Sequence, residues 1–404
     1  MRLELITADI FSGYNRIHQT LYYGKALNYI TQQLRFNISE ATRSHYMEQA
    51  LLSEEKTILK LRTLYRRYGY LPYKMNRFEE YDLYVRNKDF LVSDSIITFT
   101  DTGGKLMALK PDVTLSIVKN SVEEKGFVEK VYYNENICRT PAPGKPFREI
   151  MQAGLECIGD IDDYCRAEVL LLAAESLREI SSESLLAVSH VGIVSDVLDR
   201  MNVSASARAK LVSCIRAKNL HDAEKICAGE GVRPETYALL AGLMQTCGTQ
   251  EEVFEKLFAL LPNSTSLQEL ERIVRLLPKN SVRIDFSLVN DMHYYNGIVF
   301  QGFVSGVPDA VLSGGEYDLL MKKMGKRSKA LGFAVYLDKL SVLLTDSPEY
   351  DVDVLLVYDE SISPSAVTAK MADLISQEKT VSAQKSIPSA IRYHELIQLG
   401  GNNA

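Results

Sequence analysis

From about Val194 to Leu277 the sequence reads as one helix after another, and strand-like segments lie on both sides of that block. Short punctuation at Gly229–Gly231, Cys247-Gly248 and Pro262-Asn263 separates the helices. Such a chain must build its sheet from pieces far apart in sequence. Without regular strand–helix–strand alternation the pattern favours an α+β fold with an antiparallel sheet over a doubly wound parallel one. The helical block then reads as an insertion.

Before the block, the spacing predicts a helix from about Ser44 to Tyr68. Ile58, Leu61, Tyr65 and Tyr68 share one face, with Arg62, Arg66 and Arg67 on the other. Ile96–Thr100 and Leu106–Leu109 flank Asp101-Thr-Gly-Gly-Lys105, which reads as a hairpin. A phosphate-loop reading of its Gly-Gly-Lys fails on spacing. A helix over Leu115–Glu124, a strand at Val131–Tyr133, a Pro/Gly loop at Pro141–Pro146, a strand over Phe147–Glu156 and a helix over 164–180 follow. After the block, strands return at Val282–Phe286 and Gly297–Val304. A helix follows Gly314-Gly-Glu-Tyr-Asp318, and a last strand–helix piece starts at Val352.

The chain has 404 residues, 24% of them charged, and a net charge of −6. That charge offers no global attraction to a phosphate backbone, so nucleic-acid binding is not expected. No apolar run has the ~18 residues of a membrane span. The start, Met1–Asp9, lacks the form of a signal peptide. Six cysteines without finger spacing argue against a metal site or a disulfide framework, and favour free thiols in a reducing cytoplasm. The cationic cluster Lys322, Lys323, Lys326, Arg327 and Lys329 reads as a solvated helix end, with a docking patch as the alternative.

Four segments carry candidate chemistry. Leu109-Lys-Pro-Asp-Val-Thr114 offers a carboxylate and a hydroxyl. Arg139 precedes Gln152-Ala-Gly-Leu-Glu156, in which strand alternation puts Gln152, Gly154 and Glu156 on one face, Gly154 leaving room for a ligand. Tyr294 and Tyr295 lead into Gly-Ile-Val-Phe300, and Ser313-Gly-Gly-Glu-Tyr-Asp318 permits close backbone approach. Asp112, Thr114, Gln152 and Glu156, with Tyr295, suit an ammonium group and a ring N–H. Each also has a plainer reading: Asp112 as a helix cap, Gln152 on a solvated strand, Glu156 in a surface ion pair.

In order and spacing these segments resemble the core of histidyl-tRNA synthetase, a class II aminoacyl-tRNA synthetase, over roughly residues 45–340. The resemblance implies an antiparallel sheet flanked by helices, with the helical insertion at 194–280 inside a core of 45–345. A shortened α/β piece occupies 346–404, and residues 1–44 stay unplaced. It also implies a histidine pocket from Asp112, Thr114, Arg139, Gln152, Glu156, Tyr294 and Tyr295, with Asp for the family's Glu at 112 and His for its Asp at 293.

The departures point away from catalysis. The family's Leu-Val-Arg-Gly is Leu288-Val-Asn-Asp291, its Gly-Gly-Arg-Tyr-Asp is Gly314-Gly-Glu-Tyr-Asp318, and its terminal Arg-Leu is Lys339-Leu340. If Asp291 and Glu316 faced the site, each would oppose a phosphate charge by roughly 4 kcal/mol at ~4 Å and an effective dielectric near 20. A synthetase-like core that keeps the pocket and loses activation residues resembles the regulatory subunits of ATP phosphoribosyltransferase. That family implies no catalytic residues, no cofactor and no metal. It implies L-histidine as ligand, a short-form catalytic subunit as partner, and a homodimer within a hetero-oligomer. The alternatives are a divergent histidyl-tRNA synthetase and a tRNA-sensing module.

Overall fold

The sheet is assembled from both sides of the helical block. Before the block come β1 (Leu71–Pro72), β2 (Phe78–Glu80), β3 (Thr98–Thr100), β4 (Leu106–Leu109), β5 (Val128–Arg139), β6 (Arg148–Gly159) and β7 (Ser184–His190). β8 (Cys247–Gly248) lies within it, and β9 (Arg283–Asp285), β10 (Ile298–Val304), β11 (Leu312–Glu316) and β12 (Lys329–Tyr336) follow. The computed structural model describes residues 51–91, 96–139, 146–289, 294–343 and 349–400. The expectations for residues 1–44, for the start of the first helix, for most of the Pro141–Pro146 loop and for Asn290–His293 lie outside the described residues.

Two compact units divide the chain, up to residue 344 and from 345. In the first, nine strands run in the order β1-β5-β6-β12-β11-β10-β7-β9-β8. The six from β5 to β7 pair antiparallel, and parallel pairing occurs only toward the edges, β1 with β5 and β7 with β9. β2-β4-β3 forms a separate antiparallel sheet that contains the expected hairpin. Asp101 shapes its turn by accepting from the N–H groups of Gly103 and Lys105, both at 2.8 Å.

The helix Asp163–Ile180 starts at Asp162, whose carboxylate accepts from Cys165 N at 2.9 Å. It packs on the back of the sheet so closely that a Cβ at Gly302 would lie 2.7 Å from the methyls of Leu177. The helix Ser53–Arg67 buries Leu61 and Tyr65 there, and the Tyr65 hydroxyl meets Ser176 Oγ at 3.0 Å. Six helices, from Val191–Met201 to Thr265–Val274, make up the block and share this core. Among the described residues no helix is long and apolar enough to cross a membrane, and no group of His, Cys, Asp and Glu could hold a metal.

Several expectations need correction. The helix over Leu115–Glu124 is Thr114–Asn120, because the backbone turns extended at Ser121. Glu123 accepts instead from Arg327 N and from Ser328 N at 3.1 Å. Cys247-Gly248 is a short strand paired with β9 rather than punctuation. β7 and β12 were not anticipated: both are short apolar runs, which periodicity alone does not distinguish from buried helix. The cationic cluster is partly tied down, with Lys323 Nζ on Asp89 at 2.8 Å and Lys326 Nζ on Ser121 O at 2.7 Å.

The second unit is a parallel sheet, β14 (Val381–Gln384), β13 (Val352–Tyr358) and β15 (Tyr393–Leu399) in that order, with the helix Pro364–Ser376 between β13 and β14 in the chain.

Candidate functional site

β5, β6, β11 and β12 surround a cavity of about 190 Å³, closed by Phe90 and by the Tyr294-Tyr295 pair. At the ~10–15 Å³ that one water takes on this measure, that is space for about a dozen waters or one small ligand. All seven candidate residues, Asp112, Thr114, Arg139, Gln152, Glu156, Tyr294 and Tyr295, line it.

Glu156 lies deepest. It is 2% exposed. It accepts from Thr114 Oγ1 at 2.8 Å and from the Tyr317 hydroxyl at 2.6 Å. Burial raises its carboxyl from an ordinary 4.5 to about 8, only partly offset by these two donors. The surface ion-pair reading therefore fails, and so does the solvated reading of Gln152, which is 3% exposed. Gly332 of β12, opposite Glu156 in register, gives the carboxylate its space. A Cβ there would lie 1.7 Å from Glu156 Oε2 and 2.5 Å from Leu155 O. Gly332→Ala is expected to cost about 3 kcal/mol or more through overpacking against backbone, seen as a lowered denaturant midpoint and a lost pocket.

Gly154 works differently from the expectation. Its register partner across the ladder is Tyr133, and a Cβ at Gly154 would meet the Tyr133 ring at 2.6 Å. The space belongs to Tyr133, which forms part of the cavity wall, and not to a ligand.

Nearer the mouth, Asp112 stands one residue before Val113, the N-cap of the helix Thr114–Asn120, and accepts from Leu115 N at 3.0 Å, so it also serves the start of that helix. The same carboxylate meets Arg139 NH2 at 3.4 Å, while Arg139 Nε donates to Pro111 O at 2.7 Å. Burial raises the Asp112 carboxyl and the Arg139 guanidinium pulls it back. Arg139 is the one arginine lining the cavity among the described residues. Tyr294 stacks edge-on against Tyr295, with centroids 4.6 Å apart, and contacts Phe90 at 5.8 Å.

Glu316 does not face this cavity. On β11 it points to the helix side, where Arg166 grips it with Nε to Oε1 at 3.0 Å and NH2 to Oε2 at 3.1 Å. Its expected repulsion of phosphate is therefore cancelled by a buried guanidinium. Asp291, its assumed partner in that role, lies outside the described residues. The residues of the Ser313–Asp318 segment that reach the cavity are Ser313 and Tyr317. Tyr317, following a glutamate at β11's exit, carried a legible signal, since alternation turns it to the opposite face from Glu316. Tyr133 had the same signal within Val131-Tyr-Tyr133.

An antiparallel sheet backed by a long helix, with an acid-lined cavity of amino-acid size on its other face, is the arrangement of a class II synthetase-type core. The histidyl-tRNA synthetase family model matches residues 45–340. The chain is 30% identical over 297 residues to an ATP phosphoribosyltransferase regulatory subunit of Caldanaerobacter subterraneus, covering 70% of this chain and 77% of that one. A second such subunit, from Oceanobacillus iheyensis, is 25% identical over 380 residues and covers 91% of this chain and 93% of its own. A crystal structure described as an ATP phosphoribosyltransferase regulatory subunit/histidyl-tRNA synthetase from Bacillus halodurans superposes with a TM-score of 0.69 at 21% identity, covering 86% of this chain and 93% of that one. The chain belongs to the histidyl-tRNA synthetase family and, within it, to the ATP phosphoribosyltransferase regulatory subunits.

Proposed function

We propose that the chain is the non-catalytic regulatory subunit of an ATP phosphoribosyltransferase, and that its pocket binds free L-histidine to regulate the first step of histidine biosynthesis. In this reading it acts in the cytoplasm, as a homodimer within a hetero-oligomer that includes a short-form catalytic subunit. Two kinds of observation support it: family membership, and a cavity that offers one guanidinium and two carboxyls at different depths.

The Asp112–Arg139 pair carries the ligand assignment. At 3.4 Å it is long for a charge-assisted bond. A zwitterion inserted there gives its carboxylate to Arg139 and its ammonium to Asp112. Glu156, deeper in, then faces the ring and accepts from an imidazole N–H. A ring-nitrogen donor is what this acceptor discriminates for, because an apolar ring would leave buried polar groups unpaired.

The same inventory argues against adenylate formation. Attack of a carboxylate on an α-phosphate needs fixed positive groups where charge develops, and the one lining arginine among the described residues is, in this reading, taken by the ligand's own carboxylate. Isothermal titration is expected to show L-histidine binding and no ATP binding. Heat from ATP, or adenylate formed from ATP and histidine, would establish a divergent synthetase instead.

A pH dependence follows from Glu156. Its carboxyl is raised in the folded chain, so between about pH 5 and pH 8 the folded state holds a proton that the unfolded state has released. The stability contributed by Glu156 should therefore decline as pH rises through that window. Glu156→Gln, which cannot ionise, should flatten this decline in denaturant titrations run from pH 5 to pH 8. An identical slope in both proteins would refute the assignment.

A further inference from the structure

One member of the cationic cluster stands at the pocket's mouth. Asp89, Phe90 and Leu91 line the cavity there, and the first two belong to a single 3-10 turn, Lys88–Phe90. Lys323, the last residue of the helix Asp318–Lys323, holds both at once. Its Nζ donates to Asp89 Oδ2 at 2.8 Å and lies 5.2 Å from the centre of the Phe90 ring. That ring also meets Tyr294, at 5.8 Å, and shares a buried cluster with Leu320, Met321 and Met324. Lys323 itself is not among the residues that line the cavity. The other end of its helix is fixed to the pocket floor. Tyr317, immediately before it, donates to Glu156 at 2.6 Å. Asp318 accepts from Ala330 N at 3.0 Å and from Asn296 Nδ2 at 3.3 Å. Six residues of helix thus run from the deepest carboxyl to the aromatic cap.

We propose that Lys323 is a positioning residue for ligand exchange. It holds the Asp89–Phe90 cap over the pocket and sets the rate at which ligand enters and leaves. Both of its contacts yield readily. The Asp89 side chain is 79% exposed and that of Lys323 34%, and an exposed ion pair and an exposed cation–π contact each shift an equilibrium only a few-fold. Together they favour the closed cap by roughly tenfold, enough to govern opening and too little to hold the fold. Neither contact reaches into the cavity, so each acts equally on the free and the liganded cap. Their loss therefore speeds entry and exit alike and leaves affinity almost unchanged. A residue needed merely for folding would instead lower affinity or stability. Because the ion pair is solvent-exposed, added salt should speed exchange in the wild-type chain and not in Lys323→Met.

L-histidine, the ligand taken over from the proposed function, is mixed with the full-length chain in stopped flow. Tyrosine emission gives the signal, since the chain has no tryptophan and Tyr133, Tyr294, Tyr295, Tyr317 and Tyr336 line the cavity. Lys323→Met is expected to raise the association and dissociation rate constants together by roughly tenfold, with Kd within about twofold and an unchanged melting temperature. Lys323→Arg should restore the wild-type rates. Lys322→Met, which removes the neighbouring charge of the same helix, should not alter them. Unchanged rates in Lys323→Met, or equal acceleration in Lys322→Met, would overturn the proposal. A second measurement needs no ligand. Phe90→Trp gives the cap the chain's one tryptophan, and adding Lys323→Met should make its emission more readily quenched by acrylamide. If the wild-type chain gives no histidine signal, the histidine reading falls and this comparison still decides the cap. Equal quenching with and without Lys323 overturns it.

Discussion

Glu156→Ala is expected to weaken L-histidine binding by roughly 100-fold, because the imidazole N–H that the buried, protonated carboxyl accepts from would be left unpaired, at about 1–3 kcal/mol. The residue is also structural. Its carboxyl satisfies the Thr114 and Tyr317 hydroxyls, and removing it leaves both buried donors without a protein acceptor, at about 1–3 kcal/mol each. Binding and stability must therefore be separated. Glu156→Gln keeps the volume and one acceptor oxygen, so it should retain most of the stability and lose only about tenfold in affinity. Calorimetric titration alongside denaturant melts distinguishes the two. Equal histidine affinity in wild type and Glu156→Ala would remove Glu156 from the ligand's contacts.

Arg166→Met should be the most damaging single change away from the pocket. Arg166 and Glu316 are both almost fully buried, and Asp163 and Glu269 also lie within 3.2 and 3.5 Å of the guanidinium. Breaking one partner of such a pair costs about 3–5 kcal/mol, because the other charge is left uncompensated. In a unit of this size that is roughly a 10 °C fall in melting temperature. The double change Arg166→Met with Glu316→Leu should recover much of the loss, since an apolar pair of similar volume is often neutral there. If the double variant melts no higher than the single one, the pair is not what holds this end of β11.

The sequence made the pocket legible for a specific reason. Gln152 and Glu156 lie two pleats apart on one strand, and Asp112 and Thr114 flank the start of one helix, so local periodicity already places each couple. Glu316 shows where that reasoning stops. Its position in a family motif suggested the ligand side, but strand parity at β11 assigns Tyr317 to that side. The partner that neutralises Glu316 is Arg166, in a helix that periodicity does not connect to it. Gly154 failed in the same way, because what fills the space above a glycine depends on the opposite strand's register. β7 and β12 were missed because strands buried on both faces lose the polar alternation that marks a strand.

The strand order also has a kinetic meaning. β6 pairs Gln152 with Tyr336 and β7 pairs Ser184 with Val304, so the cavity's walls meet only after the whole helical block has been made and set aside. Contacts that span so much chain must wait for a large loop to close, which slows folding. A nascent chain released before β12 has every helix of the block but no pocket. On the proposed reading, histidine affinity is therefore a test of completed folding, and partly folded chains would be silent to the ligand that reports on them.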